Sequence, residues 1–240
     1  LHHIAHVHGA FPGHNLEWDG DAVAAMPMQG RFTLATLSAE LSAEFSLFPH
    51  DAVLAAYLKD RASKPYDPVA PDPDANYEET IRIDVSALEP LVVLPNKVAH
   101  NAAPARELGE AKIDQAFIGS CANGRIEDFA VAAEILNGRQ VAPGVRMIVT
   151  PGSQSVLQEA MAKGYVETLM NAGAVVTNST CGACYGGHMG VLGDGEVCIT
   201  ASTRNFQGRM GSPEADIYLG SPATVAASAV RGVITDPREL

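Results

Sequence analysis

Residues 112–136 read KIDQAFIGSCANGRIEDFAVAAEIL, and this stretch decides the fold. IDQAFIG (113–119) has the length and apolar content of a buried strand and ends on glycine, while IEDFAVAAEIL (126–136) predicts a helix. The same alternation continues outward. VRMIVTPG (145–152) predicts a strand, and SQSVLQEAMAKG (153–164) a helix with a serine cap and a closing glycine. AGAVVTNSTC (172–181) predicts a short strand ending in cysteine, EVCITAS (196–202) a further strand, and SPATVAASAVRG (221–232) a late helix capped by Ser221. Strands alternating with helices imply an α/β protein whose parallel or mixed sheet is covered on both faces.

Upstream the pattern differs. Residues 1–62 predict mostly helix, with Leu34, Leu37, Leu41 and Phe45 at helical spacing, and HNLEW (14–18) predicts a short strand before the turn at Asp19-Gly20. Pro65, Pro68, Pro71 and Pro73 lie in the stretch Lys64 to Asn76, too dense for helix or central strand. TIRIDVSAL (80–88) alternates and predicts a strand, and Pro95 to Gly109 predicts a loop. Two domains follow, at 1–109 and 110–240.

The chain has 240 residues, enough for one large or two small domains. Its 16 basic against 28 acidic residues leave a net charge of −12, which speaks against a nucleic-acid binder and requires an anionic ligand to find locally placed arginines. No apolar run is long enough to span a bilayer and no charged-then-apolar signal opens the chain, so a cytoplasmic, non-membrane protein is expected. Four cysteines are too sparse for a secreted disulfide framework. The start at Leu1, running directly into LHHIAHVHG, predicts that an N-terminal portion belongs before it.

Three cysteines carry the chemistry: Cys121 in GSCANGR, and Cys181 with Cys184 in STCGACYGG. Both motifs follow predicted strands, where open α/β sheets bind ligands. Glycines flank them, allowing backbone N–H groups to approach and hydrogen-bond thiolate or sulfide. On spacing alone three readings stand level: a cluster held by three cysteines, a zinc site completed by His188 or Cys198, and unrelated thiols. Cys198, in the apolar EVCIT, is the expected core cysteine. TRNFQGR (203–209) then adds Arg204 and Arg209 around a glycine-containing turn, a pairing suited to gripping carboxylates and making an anionic-substrate site more plausible than a cysteine pair alone.

The ordered set FIGSCANGRIEDF (117–129), TPGSQ (150–154), STCGACYGGHMGVLGDGEVC (179–198) and TRNFQGRMG (203–211), with NLEWDG, GRFTLATLSAE, YLGSP and ITDP, resembles the aconitase superfamily, most closely the large subunits of 3-isopropylmalate dehydratase and homoaconitase. The resemblance runs over nearly the whole chain and implies aconitase-type three-layer α/β/α domains. It implies that Cys121, Cys181 and Cys184 ligate a [4Fe–4S] cluster with one open iron. It implies that Arg204 and Arg209 bind substrate carboxylates and that Glu17, in NLEWDG, is an acid of the active site. The implied reaction is dehydration and rehydration of a small hydroxy di- or tricarboxylic acid such as 3-isopropylmalate, in leucine biosynthesis. Homoaconitase, dimethylmalate dehydratase, or a truncated non-catalytic fragment needing partner chains are the alternatives. The implied partners are a small-subunit swivelling domain on another chain and an N-terminal segment of the large subunit, with no nucleic acid. Ala122 stands where the family usually has threonine, and Thr203 where it often has asparagine.

Overall fold

The structure is a computed structural model and describes residues 2–240. It divides into two compact units: Phe11–Leu88, and Leu1–Ala10 together with Glu89–Leu240.

The larger unit holds α1 (His2–His8) and a seven-stranded mixed sheet. In the smaller unit, β1 (Asn15–Glu17) pairs in parallel with β2 (Phe45–Leu47), so Phe45, expected on a helix, lies in a strand. The unit also holds helices α2 (Asp21–Ala24), α3 (Met28–Ser38) and α4 (Ala52–Leu58), of which α3 packs against β2 and α4. One side chain ties the three helices together. Arg31, 2% exposed, forks onto Asp51 (Nη1 to Oδ1 3.0 Å, Nη2 to Oδ2 2.5 Å). It also donates to the carbonyls of Val23 and Met26, each at 3.1 Å. Asp51 meanwhile caps α4 by accepting from Leu54 N at 3.0 Å. The Arg31 guanidinium holds the Asp51 carboxyl down at about 2.

In the larger unit the sheet order is β4-β3-β9-β8-β5-β6-β7, formed by β3 (Leu91–Val93), β4 (Ala102–Pro104), β5 (Gln115–Ile118), β6 (Arg146–Val149), β7 (Val175–Val176), β8 (Val197–Thr200) and β9 (Asp216–Leu219). β9-β8-β5-β6-β7 run parallel, while β3 runs antiparallel to both its neighbours. The α/β class and the mixed sheet are those expected. β4 lies inside the stretch expected to be loop, and the sequence pattern predicts neither β2, β3 and β9 nor α8 (Tyr165–Asn171). Residues 80–88 form no strand, because alternation alone does not make a ladder and no other strand pairs with them among the described residues.

Alternation along the strands builds two apolar layers. Ala116, Ile118, Met147, Val149 and Ile199 face one way, packed with Phe129, Ala132 and Leu136 of α6 (Ile126–Leu136) and Val225, Ala226 and Ala229 of α9 (Pro222–Arg231). Phe117, Ile148, Cys198 and Ile217 face the other way, packed with Ala183, Cys184, Leu192, Met210 and Ala215. The segment carrying the cysteine pair and the second arginine therefore covers one face of the sheet itself. Each fully buried side chain of Phe or Leu size contributes roughly 1.5–3 kcal/mol, so this segment is anchored by its own core residues. Ser153 and Ser221 cap α7 (Gln154–Ala162) and α9, accepting from Val156 N (3.2 Å) and Thr224 N (3.1 Å), as the sequence predicts.

Candidate active site

Cys121 lies in α5 (Ser120–Asn123), one turn of helix entered directly from the carboxyl end of β5. Its thiol-bearing residue is exposed. The turn is held from two sides. Asn123 Nδ2 donates to Ala201 O, beyond the end of β8, at 2.7 Å, and Arg125 Nη2 donates to Cys121 O at 2.9 Å. Arg125 is in turn the entry to α6, where its N–H donates to Asp128 Oδ2 at 2.8 Å. Burial pushes the Asp128 carboxyl up to about 6, outweighing that hydrogen bond.

Cys181 precedes, and Cys184 lies within, a one-turn 3₁₀ helix, Gly182–Tyr185, which follows β7. Cys181 is exposed, whereas Cys184 is 7% exposed. Both cysteine loops rest on the same two residues, Phe117 and Thr150, at the ends of β5 and β6. A Cβ added at Gly182 would stand 2.6 Å from Thr150 Oγ1 and 3.3 Å from the Phe117 ring. One added at Gly119 would stand 2.8 Å from Thr150 O and 3.0 Å from that ring. Gly182 also takes φ +54°, a left-handed conformation that glycine adopts without cost. TPGSQ gives Thr150 no role by its sequence; its importance is positional and emerges only when β5, β6 and β7 lie side by side.

Arg204 and Arg209 lie on the loop leaving β8, both half-buried. The loop is fastened by Asn205, which is buried and donates through Nδ2 to Leu94 O at 2.6 Å. Arg209 Nε donates to Cys184 O at 2.9 Å, so the arginine loop and the cysteine-pair loop touch. Glu17 is exposed at the end of β1 in the smaller unit, where the Tyr77 hydroxyl hydrogen-bonds it and is itself held above its usual range. His188 is exposed in the segment beyond the cysteine pair.

Cys198 takes the core position expected. It is 0% exposed on β8, with Sγ 3.8 Å from Gln115 Nε2 and 3.6 Å from Ile199 O, and burial pushes its thiol up to about 12. No group of three or more His, Cys, Asp or Glu side chains that could hold a single metal ion occurs among the described residues. Cys121 and the Cys181/Cys184 pair are free thiols on two loops that both rest on Phe117 and Thr150. Soft sulfur donors of this kind suit thiophilic metals, and thiolates holding a polynuclear iron–sulfur group bind separate irons, so they stand wider than the ligands of one ion.

Fold and site together define an α/β protein whose thiol and guanidinium groups gather at the carboxyl ends of parallel strands. The chain matches the model of the aconitase family (aconitate hydratase) over residues 2–108 and 96–232. It belongs to that family. It is 56% identical over 238 residues to the 3-isopropylmalate dehydratase large subunit of Mycolicibacterium smegmatis, covering 99% of this chain and 56% of that protein. It is 47% identical over 225 residues to the protein of the same name from Moorella thermoacetica, covering 94% of this chain and 53% of that protein. A third relative of that name, from Nitratiruptor sp., is 47% identical over 234 residues. The chain thus spans a little over half the length of the curated relatives it matches. No helix among the described residues is long and apolar enough to cross a membrane.

Proposed function

We propose that this chain carries the thiol and guanidinium side of a hydro-lyase active site, one that dehydrates and rehydrates a small hydroxy dicarboxylic acid such as 3-isopropylmalate. Cys121, Cys181 and Cys184 would hold a [4Fe–4S] cluster. The observation that carries the reading is the convergence of both cysteine loops on Thr150 and Phe117, with Arg209 bonded across to Cys184. The relatives named as large subunits of 3-isopropylmalate dehydratase support the same substrate class, and a small subunit as partner.

When bound, a cluster held by these three thiolates would supply Lewis acidity toward a substrate hydroxyl group. The chain's own residues then have distinct tasks. Arg204 and Arg209 neutralise carboxylate charge and fix which carbon presents its hydroxyl. Their hydrogen bonds are directional, so they favour one orientation of a two-carboxylate substrate over its flipped form. Phe117 and Ala183, both 0% exposed, close the space beneath the cysteines to water. Glu17 is proposed as a carboxylate that handles a proton of the reaction. Asn205 keeps the arginine loop in place through Leu94 O, and Arg125 keeps Cys121 in place through its carbonyl.

The test combines the chain with a complementary N-terminal large-subunit segment and a small subunit under anaerobic conditions with iron and sulfide, following alkene formation from 3-isopropylmalate by absorbance. Turnover is expected with the unaltered chain. Cys121→Ser should lose both iron and turnover, while Cys198→Ser should keep both. Iron loss in Cys198→Ser with retention in Cys121→Ser would overturn the ligand assignment.

A further inference from the structure

The Arg209 guanidinium is already engaged along one edge. Its Nε donates to Cys184 O at 2.9 Å, Nη2 lies 3.9 Å from Cys184 Sγ, and its carbon sits 5.5 Å from the centre of the Phe206 ring. The backbones underneath are in contact as well. A Cβ at Gly186 would stand 2.9 Å from Gly211 N and 3.1 Å from Arg209 O. Leu192 N donates to Met210 O and Ser212 N to Leu192 O, both at 2.9 Å, closing the two segments into one piece. A guanidinium is a planar fork with five donors, so an edge committed to one partner leaves its outer end for another.

We infer that Arg209 is a positioning residue for Cys184: one edge of its guanidinium locks the carbonyl and sulfur of Cys184, while the outer end faces the anionic ligand. One side chain thereby joins the thiol site to the anion site. The lock itself stands on the distances above, and the anion half rests on the carboxylate reading proposed for this loop. A consequence is that Arg209 grips a carboxylate end-on, and Arg204 must supply the rest of the charge. Lysine at 209 would keep the charge but has no planar fork to serve two partners at once.

The experiment uses the full 240-residue chain, iron-free and anaerobic, with iodoacetamide alkylation of each cysteine followed by mass spectrometry. In Arg209→Lys, and again in Arg209→Gln, Cys184 should alkylate about tenfold faster than in the unaltered chain, the factor expected when local opening loses one charge-assisted hydrogen bond. The exposed Cys121 and Cys181 should keep their rates, and Cys198 should stay slow. Arg204→Lys should leave Cys184 unchanged. An unchanged Cys184 rate in both Arg209 variants overturns the lock. So does a parallel rise at Cys198, which would mean that the core has loosened as a whole. The anion half is read separately, as KM for 3-isopropylmalate in the iron-loaded complex. If neither arginine variant raises KM, the carboxylate reading falls, and with it the joining of the two sites, while the alkylation result still decides the lock.

Discussion

Replacing Gly182 by alanine should dislodge the cysteine-pair loop, and the size of the effect can be worked out. The residue has φ +54°, where an added Cβ costs roughly 1–2 kcal/mol for an L-residue. Restricting the unfolded chain returns about 0.4–1 kcal/mol. The larger contribution is steric. The new Cβ would stand 2.6 Å from Thr150 Oγ1, which is bonded to Thr177 Oγ1 at 2.9 Å, and 3.3 Å from a fully buried Phe117 ring. Neither neighbour can move freely, and overpacking of this kind costs about 1–3 kcal/mol. The net destabilisation then spans about 1–4.5 kcal/mol with a midpoint of about 3, or a fall of roughly 6–12 °C in Tm at that midpoint for a unit of this size. Gly138→Ala is the control, since that glycine has φ +70° but nothing within 4 Å of an added Cβ. It should lose about 0–1.5 kcal/mol, from conformation alone. The assays are thermal unfolding of the iron-free chain and iron bound per chain after reconstitution. Adding Thr150→Ala to Gly182→Ala should relieve the steric part and leave the conformational part. If Gly182→Ala matches Gly138→Ala in both Tm and iron content, the claim that Thr150 and Phe117 seat the cysteine loop is refuted.

Two further predictions concern pH. The Asp51 carboxyl is held down at about 2 against an ordinary 3.8, so its contribution is present above the higher value and is lost as pH falls through the lower. The shift corresponds to about 2 kcal/mol at most, discounted because the carboxylate is 26% exposed although Arg31 is 2% exposed. Asp51→Asn should therefore destabilise the smaller unit at pH 7 and flatten its acid unfolding curve below pH 4, as followed by circular dichroism. Asp128 behaves in the opposite sense. Its folded carboxyl sits at about 6 against 3.8, so the stability it contributes is present below the lower value and is lost as pH rises through the higher. Asp128→Asn should remove that decline between pH 4 and 6, and an unchanged pH–stability curve would contradict the burial assigned to this side chain.

What was legible in the sequence was local. Helix α6 runs over Ile126–Leu136, the bounds read from IEDFAVAAEIL, because its acidic first turn and apolar repeat lie within eleven residues of chain. The serine-capped helices were legible for the same reason, since a cap is satisfied three residues away. The three cysteines and two arginines also stand out in the sequence as candidates, through the ordered motifs that surround them. β5, β6 and β8 were legible because they are apolar and buried, and β1 was legible from HNLEW before its turn. β9 is four residues long and is held between β8 and β3, the latter more than a hundred residues away in the chain. Residues 80–88 carry the right alternation but form no ladder, because a strand is a property of two segments.

The sequence by itself determined which residues can do chemistry here, and which local elements carry them. Only the tertiary structure decided how those residues meet. It laid the cysteine-pair segment across the sheet face as a core layer, and it seated both cysteine loops on Phe117 and Thr150. It also set Arg209 Nε against Cys184 O, 25 positions away in the chain, a contact that the motif around Arg209 does not predict. The physical reason is that periodicity and capping act over one or two turns of chain. Close approach between loops is set by strand order, and strand order is settled only when distant apolar faces are buried together.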